Sequence, residues 1–207
     1  ASLLQAQQVL DVKQALGWLC EQAKHFQHAV LVGGNHDYTL QRLGPTESAK
    51  LCGHFGVHYL HGDAHPALLH FAESGGGSRA LLVWGSGSSL DKASLGATRA
   101  VPSGNASFQV DDAAFGANTR HVERADVVVC HSPPEGMLLG KSGHALGTIN
   151  ALLARVGPKA FICGHMHNSP STPQQDRVAW LPHGVGMNAC VTSTWNSLYG
   201  CPIVIDI

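Results

Sequence analysis

The sequence predicts a layered α/β sandwich, folded as one domain over residues 1–207. Short apolar runs alternate with helical stripes near both ends of the chain, and the middle is rich in strand signals. The length suits a single domain with a sizeable core and would crowd two. No internal repeat interrupts the pattern.

The elements follow in order. Val9, Val12, Leu16, Leu19 and Ala23 recur at three- and four-residue steps and predict a helix over Leu3–Lys24. Ala29-Val30-Leu31-Val32 reads as a buried strand ending in the tight turn Gly33-Gly34. Pro45-Thr46-Glu47 opens a short helix running to about His54, and Val57–Leu60 is a further strand. Leu68–Ala72 and Ala80–Trp84 flank Ser74-Gly75-Gly76-Gly77-Ser78 as a hairpin. Residues 85–124, rich in Gly, Ser and Ala, carry little regular pattern and are expected to cover a site. Asp126–Cys130 is a strand, and Ala145, Leu146, Ile149, Leu152, Leu153 and Val156 mark a helix. Strands follow at Ala160–Cys163, Val178–Leu181 and Pro202–Ile207.

Composition excludes several classes of partner. A formal charge of −1 and a pI near 7.0 supply no basic patch for nucleic acid and no pull toward an acidic membrane surface. The longest apolar runs are too short to span a bilayer. An anionic substrate therefore needs local help, from a metal or a few placed cations. The six cysteines form no CxxC pair and no dense framework, which predicts a reduced, cytoplasmic setting. The sequence opens on Ala1 inside a helical pattern.

Three motifs follow apolar strands: Gly33-Gly34-Asn35-His36-Asp37, His131-Ser132-Pro133-Pro134 and Gly164-His165-Met166-His167. Turns at strand carboxyl ends are where α/β sheets bind ligands. Each motif alone is an ordinary turn, but all three in this order place nitrogen and oxygen donors at strand ends. Two imidazoles at i and i+2 across a bend can face one point. Such ligands suit Mn²⁺, Fe²⁺, Zn²⁺ or Co²⁺ better than Ca²⁺. Asp37 reads as a residue that ties down its own loop.

Together these motifs resemble the last three metal-site motifs of the calcineurin-like metallophosphoesterases. His-Ser-Pro-Pro, Val83-Trp84-Gly85-Ser86 and Met187-Asn188-Ala189 resemble the branch related to small cyclic-nucleotide phosphodiesterases. The resemblance implies a four-layer α/β/β/α sandwich and two divalent metal ions (Mn, Fe or Zn). It implies that Asn35, His131 and His165 hold one ion, that His167 holds the other, and that His36 stands beside the phosphate of a small phosphate-ester substrate. His36 would there steady the phosphate or protonate the leaving alkoxide.

The family pattern also calls for an Asp-x-His and a Gly-Asp ahead of the Asn-His motif. Only 34 residues precede Asn35, and their one acid of that kind, Asp11, lies in the helical stripe. Gly62-Asp63-Ala64-His65 mimics both motifs but follows Asn35, and is expected to be a surface turn. Asn35, His131, His165 and His167 are all neutral. Two dications about 3.5 Å apart repel by roughly 19 kcal/mol at an effective dielectric of 20, which carboxylates normally offset. The expectation is a chain lacking its first strands and impaired as a catalyst. The activity implied is hydrolysis of phosphate esters, above all phosphodiesters, by a metal-activated water. A non-catalytic relative serving as a binding or scaffold module is the alternative, and a mononuclear zinc hydrolase built on His131, His165 and His167 is a third.

Overall fold

The computed structural model describes residues 3–91, 107–139, 144–167 and 177–190. Helix α1 (Leu3–Ala23) is followed by β1 (Ala29–Leu31), α2 (Tyr38–His54) and β2 (Val57–Tyr59). Strands β1 and β2 pair in parallel, with Ala29 opposite Val57 and Leu31 opposite Tyr59. A parallel pair needs a crossover, and α2 provides it.

The main sheet has six strands. β3 (Ala67–Ala72) and β4 (Ser78–Ser86) form a hairpin, and β7 (Val127–Cys130), β8 (Ala160–Cys163), β9 (Val178–Leu181) and β10 (Gly184–Asn188) complete the order β3-β4-β7-β8-β10-β9. The central four, β4, β7, β8 and β10, are parallel, so their carboxyl ends share one edge. β3 and β9 flank them antiparallel. A short parallel pair, β5 (Ser89–Leu90) with β6 (Gln109–Val110), lies beyond β4. Helices α3 (Asp112–Asn118) and α4 (Thr148–Val156) complete the described elements.

Strand alternation sorts the core into layers. On β7, Val127 and Val129 face one way and Val128 and Cys130 the other; β8 repeats this with Ala160 and Ile162 against Phe161 and Cys163. One face of the sheet packs on α3 and α4 through Phe115, Ile149, Leu152 and Leu153. The other face meets Val30, Val32 and Leu60 from the small β1-β2 sheet. The outer side of that small sheet is covered by Val12, Leu16 and Leu19 of α1 and by Leu51 and Cys52 of α2. The order is α, β, β, α. Full burial of Trp84 and Phe161 contributes about 1.5–3 kcal/mol for each large apolar side chain.

Structure and expectation differ at four places. α2 begins at Tyr38, before the expected Pro45. Gly44 (φ 75°) kinks it, and Ser48 Oγ donates to Leu40 O at 2.9 Å across the kink. Pro45 starts the second piece, where its missing N–H costs nothing. The helix expected from Ala145 starts at Thr148; Ala145 and Leu146 are buried ahead of it. β10 went unread because Gly184 and Gly186 dilute its strand signal. Residues 85–124 are more regular than their composition suggests: Gly85 and Ser86 end β4, and Phe115 and Val122 are core. Small residues hide the period yet permit close packing, since a Cβ on Gly116 would lie 3.0 Å from Thr148. Residues 92–106, the middle of the expected cover, and the strand expected at Pro202–Ile207 lie outside the described residues.

Candidate metal centre

The loops after β1, β7 and β8 meet at the carboxyl edge of the main sheet. Backbone bonds carry the ladder past the strand ends: His131 N–H donates to Ser86 O at 2.9 Å, and Gly164 N–H to His131 O at 3.0 Å. Position 131 is thereby fixed between β4 and the loop that carries His165.

Glycines bring the Asn35 loop close. A Cβ on Gly34 would sit 2.6 Å from the His131 ring, and one on Gly33 would sit 2.6 Å from the Phe108 ring. Only a residue without a side chain permits that approach. Ser107 N–H donates to Asn35 O at 3.1 Å, so a second loop clamps the turn from outside.

Three donor atoms converge as a result. Asn35 Oδ1 lies 2.8 Å from His131 Nε2, His131 Nε2 lies 2.9 Å from His165 Nδ1, and His165 Nδ1 lies 3.3 Å from Asn35 Oδ1. The Asn35 backbone N–H also points at His131 Nε2, over 3.4 Å. The two imidazoles meet edge to face with centroids 4.7 Å apart. Ligands held about 2.0–2.2 Å from one cation stand about 3.0–3.4 Å from each other. The triangle fits one divalent ion, by spacing and by the borderline character of its donors.

Electrostatics keep the His131 imidazole neutral. Burial, first, and then the charges of His165, His36 and His167 push the His131 pKa down to about 3. At neutral pH this imidazole offers a lone pair. His165 holds a positive φ of 63°, and Met166 N–H donates to Gly164 O across it at 2.6 Å. That is a γ-turn of the rare, strained hand. A non-glycine residue there costs about 1–3 kcal/mol and persists only where its surroundings enforce it.

Of the residues the sequence singles out, Asn35, His131 and His165 are brought together. His36 and His167 are felt at His131 through charge. The His36 side chain is exposed and, with Asp11, Asp37, Tyr38 and Thr39, lines a cavity of about 250 Å³ between α1 and the start of α2. The Asp37 carboxyl is pushed up by burial and held back by a hydrogen bond from the Gly34 backbone, which places it on its own loop. Asp63 is exposed, and Ala64 O next to it accepts from Trp84 Nε1 at 3.1 Å, so that turn packs against the core. Among the described residues no group of three or more His, Cys, Asp or Glu gathers, so the triangle owes its third donor to an amide. Sequence reasoning passed over Ser107 and Phe108, which lie in a stretch without periodicity.

The layer order and the strand-end loops define a layered α/β protein with three donor atoms gathered at the carboxyl edge of its main sheet. The calcineurin-like phosphoesterase family profile matches residues 10–169, and the chain belongs to that family. The family generally uses a pair of divalent metal ions. One solved crystal structure is similar with a TM-score of 0.51 at 11% identity, over 90% of this chain and 66% of its own. The protein TT1561 of Thermus thermophilus is similar with a TM-score of 0.51 at 9% identity, over 86% of this chain and 70% of its own. At such identities the likeness concerns the fold. This chain spans about two thirds of the length of the first of them. A search of curated proteins gave no match. Among the described residues no helix is long and apolar enough to cross a membrane.

Proposed function

We propose that the protein is a metal-dependent hydrolase of phosphodiesters, with cyclic nucleotides as the substrate class favoured by the His131-Ser132-Pro133-Pro134 resemblance. The observation that carries the reading is the convergence of Asn35 Oδ1, His131 Nε2 and His165 Nδ1 within 3.3 Å of one another. These three residues would hold one divalent ion, and His167 would belong to the second. Bound there, such ions supply positive charge to the phosphate and make water nucleophilic near neutral pH. The chain's own part is to keep His131 unprotonated, to fix His165 in its strained turn, and to present the exposed His36 imidazole from the same loop as Asn35. His36 would steady the phosphate or hand a proton to the leaving oxygen. Free thiols at Cys20, Cys52, Cys130 and Cys163 support a cytoplasmic setting.

The alternative, a non-catalytic binding or scaffold module, draws on the neutrality of the donor set, for which no carboxylate is in place among the described residues. The test is metal analysis after equilibration with Mn²⁺ or Zn²⁺, alongside hydrolysis of an aryl phosphodiester. Bound metal and slow turnover, both abolished by His165→Ala, are expected. Metal without turnover would favour the binding module, and neither metal nor turnover would overturn the proposal.

A further inference from the structure

We infer that Asn188, the last residue of β10, is the positioning residue that holds His165 in place. Its side chain is fully buried. Nδ2 donates to Leu138 O at 3.1 Å and to Met166 O at 3.0 Å, while Oδ1 accepts from Cys190 N–H at 2.9 Å. The carboxamide thus uses two donors and one acceptor on three backbone groups from three segments.

The two carbonyls it reaches lie at strained points of the backbone. Met166 closes the γ-turn around His165, and Leu138 and Leu139 hold positive φ values of 53° and 69° in the loop that continues from His131. Leucine rarely adopts that conformation, and neither turn persists without an outside anchor. Asn188 anchors both at once, and it is itself held rigidly. It sits opposite Cys163 in the β8–β10 ladder, Ala189 N–H donates to Cys163 O at 2.7 Å, and Arg177 Nε donates to Asn188 O at 3.2 Å. One end of the brace is therefore the sheet, and the other is the residue next to a candidate ligand.

No side chain of similar size replaces it. Aspartate has the same shape but donates nothing, and would set a carboxylate against two carbonyl oxygens. Leucine would take from Leu138 O, Met166 O and Cys190 N–H the hydrogen-bond partner that each has in the Asn188 side chain. The bracing of the loops stands on the hydrogen bonds above; its consequence for a metal ion rests on the proposed function.

The experiment compares Asn188→Asp and Asn188→Leu with Leu16→Ala, a core truncation in α1 whose cluster holds no residue of either loop. Two quantities are read in the intact chain: the imidazole NMR signals of His165 without metal, and Zn²⁺ affinity by competition with a chelator. Both Asn188 variants should shift the His165 signals and weaken Zn²⁺ binding by about 10–100-fold, as loss of a partner behind a ligand does. Leu16→Ala should lower the melting temperature and leave both quantities as they are. Should Asn188→Leu not fold, Asn188→Ser, which keeps one donor, takes its place with a smaller effect. Unchanged His165 signals in the Asn188 variants would overturn the inference, whatever their melting temperatures. If the wild type binds no Zn²⁺, the metal reading fails by itself, and the His165 signals alone decide whether Asn188 is the brace.

Discussion

Gly34→Ala isolates the close approach on which the triangle depends. The added Cβ would lie 2.6 Å from both Cε1 and Nδ1 of His131, and ordinary contact begins at 3.4 Å. The ring must retreat by the difference, 3.4 − 2.6 = 0.8 Å, or the Asn35 loop must lift by as much. Either movement disrupts the 2.8 Å approach of Asn35 Oδ1 to His131 Nε2. Overpacking of this size costs about 1–3 kcal/mol of stability. A donor displaced by most of an ångström should weaken metal binding at least as much as loss of a supporting partner does, about 10–100-fold. Gly34 does not have a positive φ, so the effect comes from the ring contact and not from backbone strain. Gly53→Ala is the control: nothing lies within 4 Å of its Cβ position, and in α2 the change should be neutral or stabilising by up to about 1 kcal/mol. Thermal melts and Zn²⁺ titration of both variants decide the matter. A Gly34→Ala protein that melts and binds metal as the wild type does would refute the packing argument.

Four further outcomes are expected. His131 titrates near 6.5 when unfolded and at about 3 when folded, so the unfolded chain binds the extra proton between those values. Stability should therefore fall as pH drops from 6.5 toward 3, by about 1.4 kcal/mol per pH unit from this group; acid melts of His131→Asn that keep the same slope would contradict this. His36→Ala should reduce phosphodiester turnover by about 100-fold while metal content stays constant, and loss of metal would show that His36 is a ligand. Asp63→Asn should change neither metal content nor turnover, because that exposed carboxylate lies on a turn packed against Trp84; a large effect on either would restore Asp63 to the site. Zn²⁺ or Mn²⁺ at about 100 times its dissociation constant should stabilise the fold by about 2.7 kcal/mol, and His131→Ala should erase the gain seen in a thermal melt.

The legible parts of the fold were those in which burial alone selects the residues. Val127–Cys130 and Ala160–Cys163 are buried on both faces, so they read as continuous apolar runs, and the motifs after them were visible as departures from those runs. β10 is equally central yet carries two glycines. A Cβ on Gly184 would strike Lys159 O, so the position is filled by what the neighbouring backbone allows and not by a strand former. The early start of α2 was hidden for a related reason: Gly44-Pro45 reads locally as a boundary, and the bond from Ser48 to Leu40 that spans it is tertiary information. At the site, donor types could be read from the sequence, but the supports could not. Ser107 and Asn188 bond backbone groups distant along the chain, Phe108 packs its ring on Gly33, and no periodicity marks such partners.

Three separate costs meet at one point in this structure. His131 is held where it cannot easily take a proton, His165 in a turn that disfavours side chains, and the Asn35 side chain almost out of solvent. Ordinary packing gives no reason to collect them, because each has a cheaper local alternative: an exposed imidazole, a glycine in the turn, an amide in water. A cation at the centre of the triangle would offset all three together, since it needs unprotonated nitrogens, a fixed direction for His165 and a buried oxygen. The clamps found around the site have the opposite character. Ser107 on Asn35 O, Ser86 on the His131 backbone and Asn188 on Met166 O are satisfied hydrogen bonds that stabilise the chain whatever lies between the ligands. The strain lies in the residues that face the centre and the support in those behind them, an arrangement suited to holding the donors ready for an ion before it arrives.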